Sequence, residues 1–123
     1  MSAGRAAGAR LPRVERLRDR AALQGLFHRG TRVERESFVL LWLPAPGPQA
    51  VAFAAGRRLG GSVVRNRARR RLRAAYRDEK GRGPGSDVRL CFIARPGALR
   101  QPFAALSRDV GEALARARSR RAS

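Results

Sequence analysis

At 123 residues the chain is sized for one domain with one modest core. It carries 28 basic and 9 acidic residues, a formal charge of +19 and a pI near 12.0, a balance that points to a polyanionic partner. A single cysteine and a single histidine exclude an internal disulfide, a thiolate metal cluster and a His-pair metal site.

Residues 1–12 are rich in Gly, Ala and Arg and read as a disordered basic arm ahead of a domain over 13–116. No secretory core, lipidation motif or bilayer-length apolar run is present, so the expected location is the cytoplasm, away from any membrane. Asp19 is placed as an N-cap, and Ala22, Leu23, Leu26 and Phe27 make the apolar stripe of a first helix. Gly30 ends it, with His28 and Arg29 in a last turn whose dipole welcomes cations.

Ser37–Leu43 reads as a strand, stopped by the Pro-rich run 44–48. Ala50–Ala55 returns as a second strand, in which alanines alternate with Val51 and Phe53. One face of it is therefore nearly bare of bulk and leaves a shallow trough. Arg57 and Arg58 follow at the strand end.

Gly60–Arg77 is the densest stretch of the chain. It predicts a helix entered through a glycine pair, with Gly61 or Ser62 as cap. Val64, Ala68, Leu72, Ala75 and Tyr76 share one face and are expected to pack on a sheet. Arg65, Arg69, Arg73 and Arg77 run at i, i+4 beside that face, and Asn66, Arg67 and Arg70 lie round the back. Like charges at this spacing repel by a few tenths of a kcal/mol per pair. A helix that needed only solubility would alternate signs, so the unrelieved run argues for phosphate binding rather than a merely solvated face. Lys80 is the only lysine; guanidinium grips phosphate with two parallel hydrogen bonds and stacks on bases, although a GC-rich coding bias would also favour arginine.

A turn at 81–86 leads into a strand over Asp87–Arg95, within which Cys91 reads as a small core residue. Phe103, Leu106, Val110 and Leu114 mark a last helix with Gly111 as its weak point, and the basic tail beginning at Arg116, with residues 117–123 outside the domain, is expected to fray. The fold class is α+β, a two-layer sandwich of one mixed sheet with helices in the order α-β-β-(β)-α-β-α. Among the nine carboxylates, Asp78 and Glu79 point apart and Glu34 and Glu36 flank a strand start, so no catalytic or metal-ligating constellation is proposed.

Arg57-Arg58-Leu59-Gly60, then Val63-Val64-Arg65-Asn66-Arg67 and Arg69-Arg70…Arg73, closely resemble the protein subunit of bacterial ribonuclease P. Leu23…Phe27…Gly30, Phe38-Val39-Leu40 and Ile93-Ala94-Arg95 extend the resemblance over about Arg13–Leu114. It implies a protein cofactor that binds the catalytic RNA, one protein per RNA, and helps remove the 5′ leader of precursor tRNA. The RNA would perform the hydrolysis with Mg²⁺ held mainly by itself and the substrate. It also implies a left-handed βαβ crossover, against the general preference, in a ribosomal-protein-like fold.

Carried over by position, Arg57, Arg58, Arg65, Asn66, Arg67, Arg69, Arg70 and Arg73 are the RNA-binding candidates. Leu23, Phe27, Val39 and Leu41, with Asn66, Arg69 and Arg73, are the leader-cleft candidates. Leu23 and Leu41 stand where the family commonly has aromatics, so stacking is expected to fall to Phe27. Trp42 should face the opposite side of the sheet, in the core, and Arg71, at a usually apolar position, is expected to snorkel outward. Two other readings are weighed: a structural RNA-binding protein of ribosomal-protein type, which fold and charge alone would allow, and a freestanding nuclease, against which the scattered carboxylates count.

Overall fold

The computed structural model describes residues 20–122, so the basic arm and the Asp19 cap lie outside the described residues. Helix α1 spans Arg20–Arg29 and stops where the Gly30 N–H donates to the Leu26 carbonyl at 2.9 Å. Three strands follow, β1 (Thr31–Glu34), β2 (Phe38–Pro44) and β3 (Ala50–Ala54). Then come the arginine-bearing helix α2 (Ser62–Glu79), strand β4 (Val88–Ala94), a single turn α3 (Gly97–Arg100) and the long α4 (Phe103–Ala122).

The sheet order is β1-β2-β4-β3. β2 is antiparallel to β1 and β4, whereas β3 and β4 are parallel neighbours joined through α2. Alternation along the strands sorts the side chains into two sets. Phe38, Leu40, Trp42, Val51, Leu90 and Phe92 meet Ala68, Leu72, Ala75 and Tyr76 of α2 and Leu106, Val110, Ala113, Leu114 and Ala117 of α4 in the main core. Phe92 is its centre, edge-on to Phe38 at 5.3 Å and to Tyr76 at 5.9 Å, and stacked on Phe53 at 5.6 Å. This is the expected two-layer packing, with Trp42 on the predicted side. On the other sheet face Val39, Leu41 and Cys91 form a smaller cluster under Leu26 of α1.

Several expectations are corrected. α4 continues to Ala122, with Ala117 fully buried, where a fraying tail was expected. Its last turn is tied down by Arg121, whose Nη1 donates to the carbonyls of Pro84 and Ser86 at 2.8 and 2.7 Å. Phe103 and Val64 are exposed rather than part of the buried stripes, which begin at Leu106 and Ala68. At Gly111 a Cβ would meet only the movable tips of the Glu79 and Arg82 side chains, where α4 passes the end of α2. Arg71 turns inward, its Nε donating to the Ala98 carbonyl at 2.8 Å and its Nη2 to the Gln101 carbonyl, and so caps the carbonyl end of α3.

The β1–β2 turn is locked to α4 by charge. Asp109, itself buried, accepts from Arg35 and from the Ser37 hydroxyl, and Arg35 also reaches Glu112 at 2.7 Å. Arg95 donates to the Arg35 carbonyl at 2.7 Å and pairs with Glu34 at 3.1 Å.

Candidate nucleic-acid interface

The surface that the charge pattern singles out begins where β3 ends. Arg57–Leu59 form one 3-10 turn after Gly56. Gly60 then reverses the chain at φ +147°, a conformation open to glycine and strained for any side chain, which would also press on Val64. Gly61 is the N-cap of α2, without a side-chain cap, which settles the choice between Gly61 and Ser62.

α2 buries Ala68, Leu72, Ala75 and Tyr76 against the sheet, and that seating fixes the direction of everything else on it. Arg67 and Arg70 are exposed and Arg65 and Arg69 half-buried, and none of the four has a carboxylate within ion-pair distance among the described residues. Arg57 and Arg58 are exposed at the foot of the same helix. Val63, Asn66, Arg69, Arg70 and Arg73 line one shallow concavity. Within it Arg69 donates to the Asn66 side-chain oxygen, and the Arg73 guanidinium lies 5.4 Å from the centre of the Phe53 ring. Arg73 is thus directed along the β3 edge, where the cation–π contact holds it. Val63 is 78 % exposed, an apolar member of the concavity that the sequence pattern did not single out.

The leader-cleft candidates divide between the two sheet faces. Phe27 is 52 % exposed on α1 and Leu23 half-buried beside it. Val39 and Leu41, at 5 % and 1 % exposure, are covered by α1 and form packed floor rather than open surface. Asn66, Arg69 and Arg73 belong to the helix that packs on the opposite face. Between the groups lies edge strand β3, whose half-buried Ala52 and Ala54 adjoin Ile93 on the α1 side. These are the small residues from which the trough is expected, on the strand that ends just before Arg57 and Arg58.

Four of the acids lie elsewhere, whereas Asp78 and Glu79 close α2 itself. Glu34, Glu36, Asp109 and Glu112 line a separate concavity with Arg35 and Arg108, at the β1 edge of the sheet. Arg95 and Arg32 hold the Glu34 carboxyl below its usual range. Because Asp109 is engaged by Arg35 and Ser37, and Glu34 by Arg32 and Arg95, these oxygens do not make a Mg²⁺ cage. No group of three or more metal-ligating side chains occurs among the described residues. Cys91 is buried, and burial pushes its thiol up to about 12, so it is no nucleophile at neutral pH.

The family model described as Ribonuclease P matches residues 11–118. The chain belongs to the ribonuclease P protein family. A ribonuclease P protein component of Symbiobacterium thermophilum is 40 % identical over 109 residues, covering 87 % of this chain and 94 % of its own. One from Gluconacetobacter diazotrophicus is 37 % identical over 107 residues, covering 85 % and 92 %. Among solved structures, the ribonuclease P protein of Thermotoga maritima superposes with a TM-score of 0.73 at 25 % identity, covering 83 % of this chain and 96 % of that one. Members of the ribonuclease P protein family are components of the endoribonuclease of tRNA 5′ maturation. No helix among the described residues is long and apolar enough to cross a membrane.

Proposed function

We propose that this chain is the subunit that grips the catalytic RNA of ribonuclease P through Arg57, Arg58, Arg65, Asn66, Arg67, Arg69, Arg70 and Arg73. The trough beside β3 then takes the single-stranded 5′ leader of precursor tRNA, one protein serving each RNA in the cytoplasm. The observation that carries the reading is that Arg65, Arg67, Arg69 and Arg70 have no carboxylate partner among the described residues, on a helix whose other face is fully committed to the core. Such a row is held together at a cost that a polyphosphate removes. The leader would be held by the charged margin of Asn66, Arg69 and Arg73 and by stacking on Phe27, with Leu23 beside it and Val39 and Leu41 supporting the floor.

On this reading the protein orients RNA and neutralises its charge, and the bond-breaking belongs to the RNA. Mg²⁺, held by RNA and substrate, supplies activation of the attacking water and charge neutralisation at the scissile phosphate. The test is reconstitution: purified protein is added to the cognate ribonuclease P RNA at low Mg²⁺ and cleavage of precursor tRNA is measured. Stimulated cleavage is expected, with none from protein alone. Cleavage unchanged by the protein would overturn the proposal, and cleavage by the protein alone would make the chain a nuclease in its own right.

A further inference from the structure

We propose that the last two turns of α4 form a second RNA-binding element, separate from α2, in which Arg116 and Arg120 on one flank of the helix and Arg118 on the other contact phosphates. It rests on the reading of the chain as an RNA-binding subunit and adds to it a contact on another element. All three side chains are exposed, and none has a carboxylate within ion-pair distance among the described residues. Glu112 stands one turn before Arg116, the natural i, i+4 partner, yet it is taken by Arg35 at 2.7 Å. Arg116 and Arg120 are themselves i, i+4 like charges. The pattern on α2 is thus repeated at the end of α4.

A basic helix C-terminus has an ordinary explanation, since cations there stabilise the macrodipole, but that effect is confined to the last turn. Arg120 and Arg121 satisfy it, whereas Arg116 and Arg118 lie further back. Arg121 is occupied differently, because its two hydrogen bonds to the carbonyls of Pro84 and Ser86 hold the helix end in place. The neighbouring guanidinium groups are thereby presented from a fixed support, which lowers the ordering cost of binding. An anionic bilayer is a poorer match, because Leu106, Val110, Ala113, Leu114 and Ala117 are all fully buried and leave no apolar stripe to enter lipid.

The two basic elements diverge. α2 starts just beyond the end of β3, and α4 finishes beside the loop that starts β4. These strands are parallel, so Arg57, Arg58 and the first turns of α2 lie at the opposite end of the sheet from the end of α4, while α2 itself runs back along the sheet. One phosphate cannot serve both. Two separated contacts fix the orientation of the protein on RNA, which a single row of charges does not.

The experiment compares the full chain with R116Q/R118Q/R120Q and R65Q/R69Q/R70Q in binding to the cognate ribonuclease P RNA over a KCl series, with hydroxyl-radical footprints. The α4 variant should lower the log–log salt slope by about two units, at roughly 0.7–0.9 per lost phosphate contact. It should also uncover nucleotides that stay protected in the α2 variant. Lysine at the same three positions should restore the slope, because a phosphate contact needs only charge. An unchanged slope and footprint, with unchanged far-UV circular dichroism, overturns the second surface and leaves the α2 reading intact. The converse, an effect from α4 and none from α2, overturns the α2 reading instead. If the triple variant loses helix, Arg116→Gln and Arg118→Gln singly decide, with about one unit expected from each and no change in either refuting. Loss of binding to phosphatidylcholine–phosphatidylglycerol vesicles, with RNA binding unaffected, would likewise refute it.

Discussion

Arg71 interrupts the apolar margin of α2, and its fate illustrates how one side chain is decided by what stands opposite it. A guanidinium beside a buried face snorkels when water is the nearest acceptor. Here the carbonyls of Ala98 and Gln101 are nearer, left free because α3 is a single turn. Charged hydrogen bonds of this kind are worth about 1.5–3 kcal/mol when buried, and Arg71 is half-buried, so Arg71→Gln should cost about 1–2 kcal/mol in urea denaturation. RNA binding at about 25 °C should be untouched. A lowered salt slope with unchanged stability would instead make Arg71 a phosphate contact. Phe27 presents the opposite case, an aromatic ring left half in water on a helix whose Leu26 neighbour is fully buried. Phe27→Ala should therefore barely alter stability, yet weaken binding of leader-bearing precursor tRNA by about 1–3 kcal/mol if a base stacks there. Mature tRNA should bind as before, and equal losses for both RNAs would point to a folding defect.

At the scale of elements, α2 couples packing and the proposed RNA contact through one rotation: the residues it buries determine which arginines face outward. Arg69→Gln with Arg70→Gln removes charge without touching the buried stripe. The pair should flatten the salt dependence of RNA binding by about 1.5 units while melting is unchanged; an unaltered slope would argue against direct phosphate contact. α1, α2 and α4 were legible because each carries several apolar residues at one helical period, and β2, β3 and β4 because short apolar runs are bounded by Pro and Gly. β1 was not, since Thr31–Glu34 offers a single buried residue, Val33, and owes its strand to pairing with β2. α3 escaped for a similar reason: four residues hold no period, and its placement depends on Gly97 passing so close to Glu36 that a Cβ would sit 2.9 Å from the carbonyl oxygen. The outward arginines and the small residues of β3 were readable from the sequence. The burial of Val39 and Leu41 was not, because it depends on where α1 comes to rest.

At the scale of the whole molecule the charge is partly sorted. Glu34, Glu36, Asp109 and Glu112 gather with Arg35 and Arg108 at the β1 edge, while arginines without carboxylate partners among the described residues are carried by α2 and the end of α4, with Asp78 and Glu79 at the close of α2. An excess of +19 on so short a chain repels itself and lowers the stability of the compact state. Where the repulsion is concentrated in clusters, an anion that binds them should stabilise more than one that only screens. At roughly ten times its dissociation constant such a ligand adds about 1.4 kcal/mol, which for a domain of this size raises Tm by roughly 5–10 °C. Sulfate should therefore raise Tm well above the value in NaCl of equal ionic strength, and R65Q/R69Q/R70Q should lose part of that difference while gaining stability in low salt. Equal shifts for the two salts would reduce the effect to screening. No shift in either would mean that the core of Phe92, Tyr76 and Leu72 outweighs the repulsion, and that the arginine clusters exert no measurable strain on the fold.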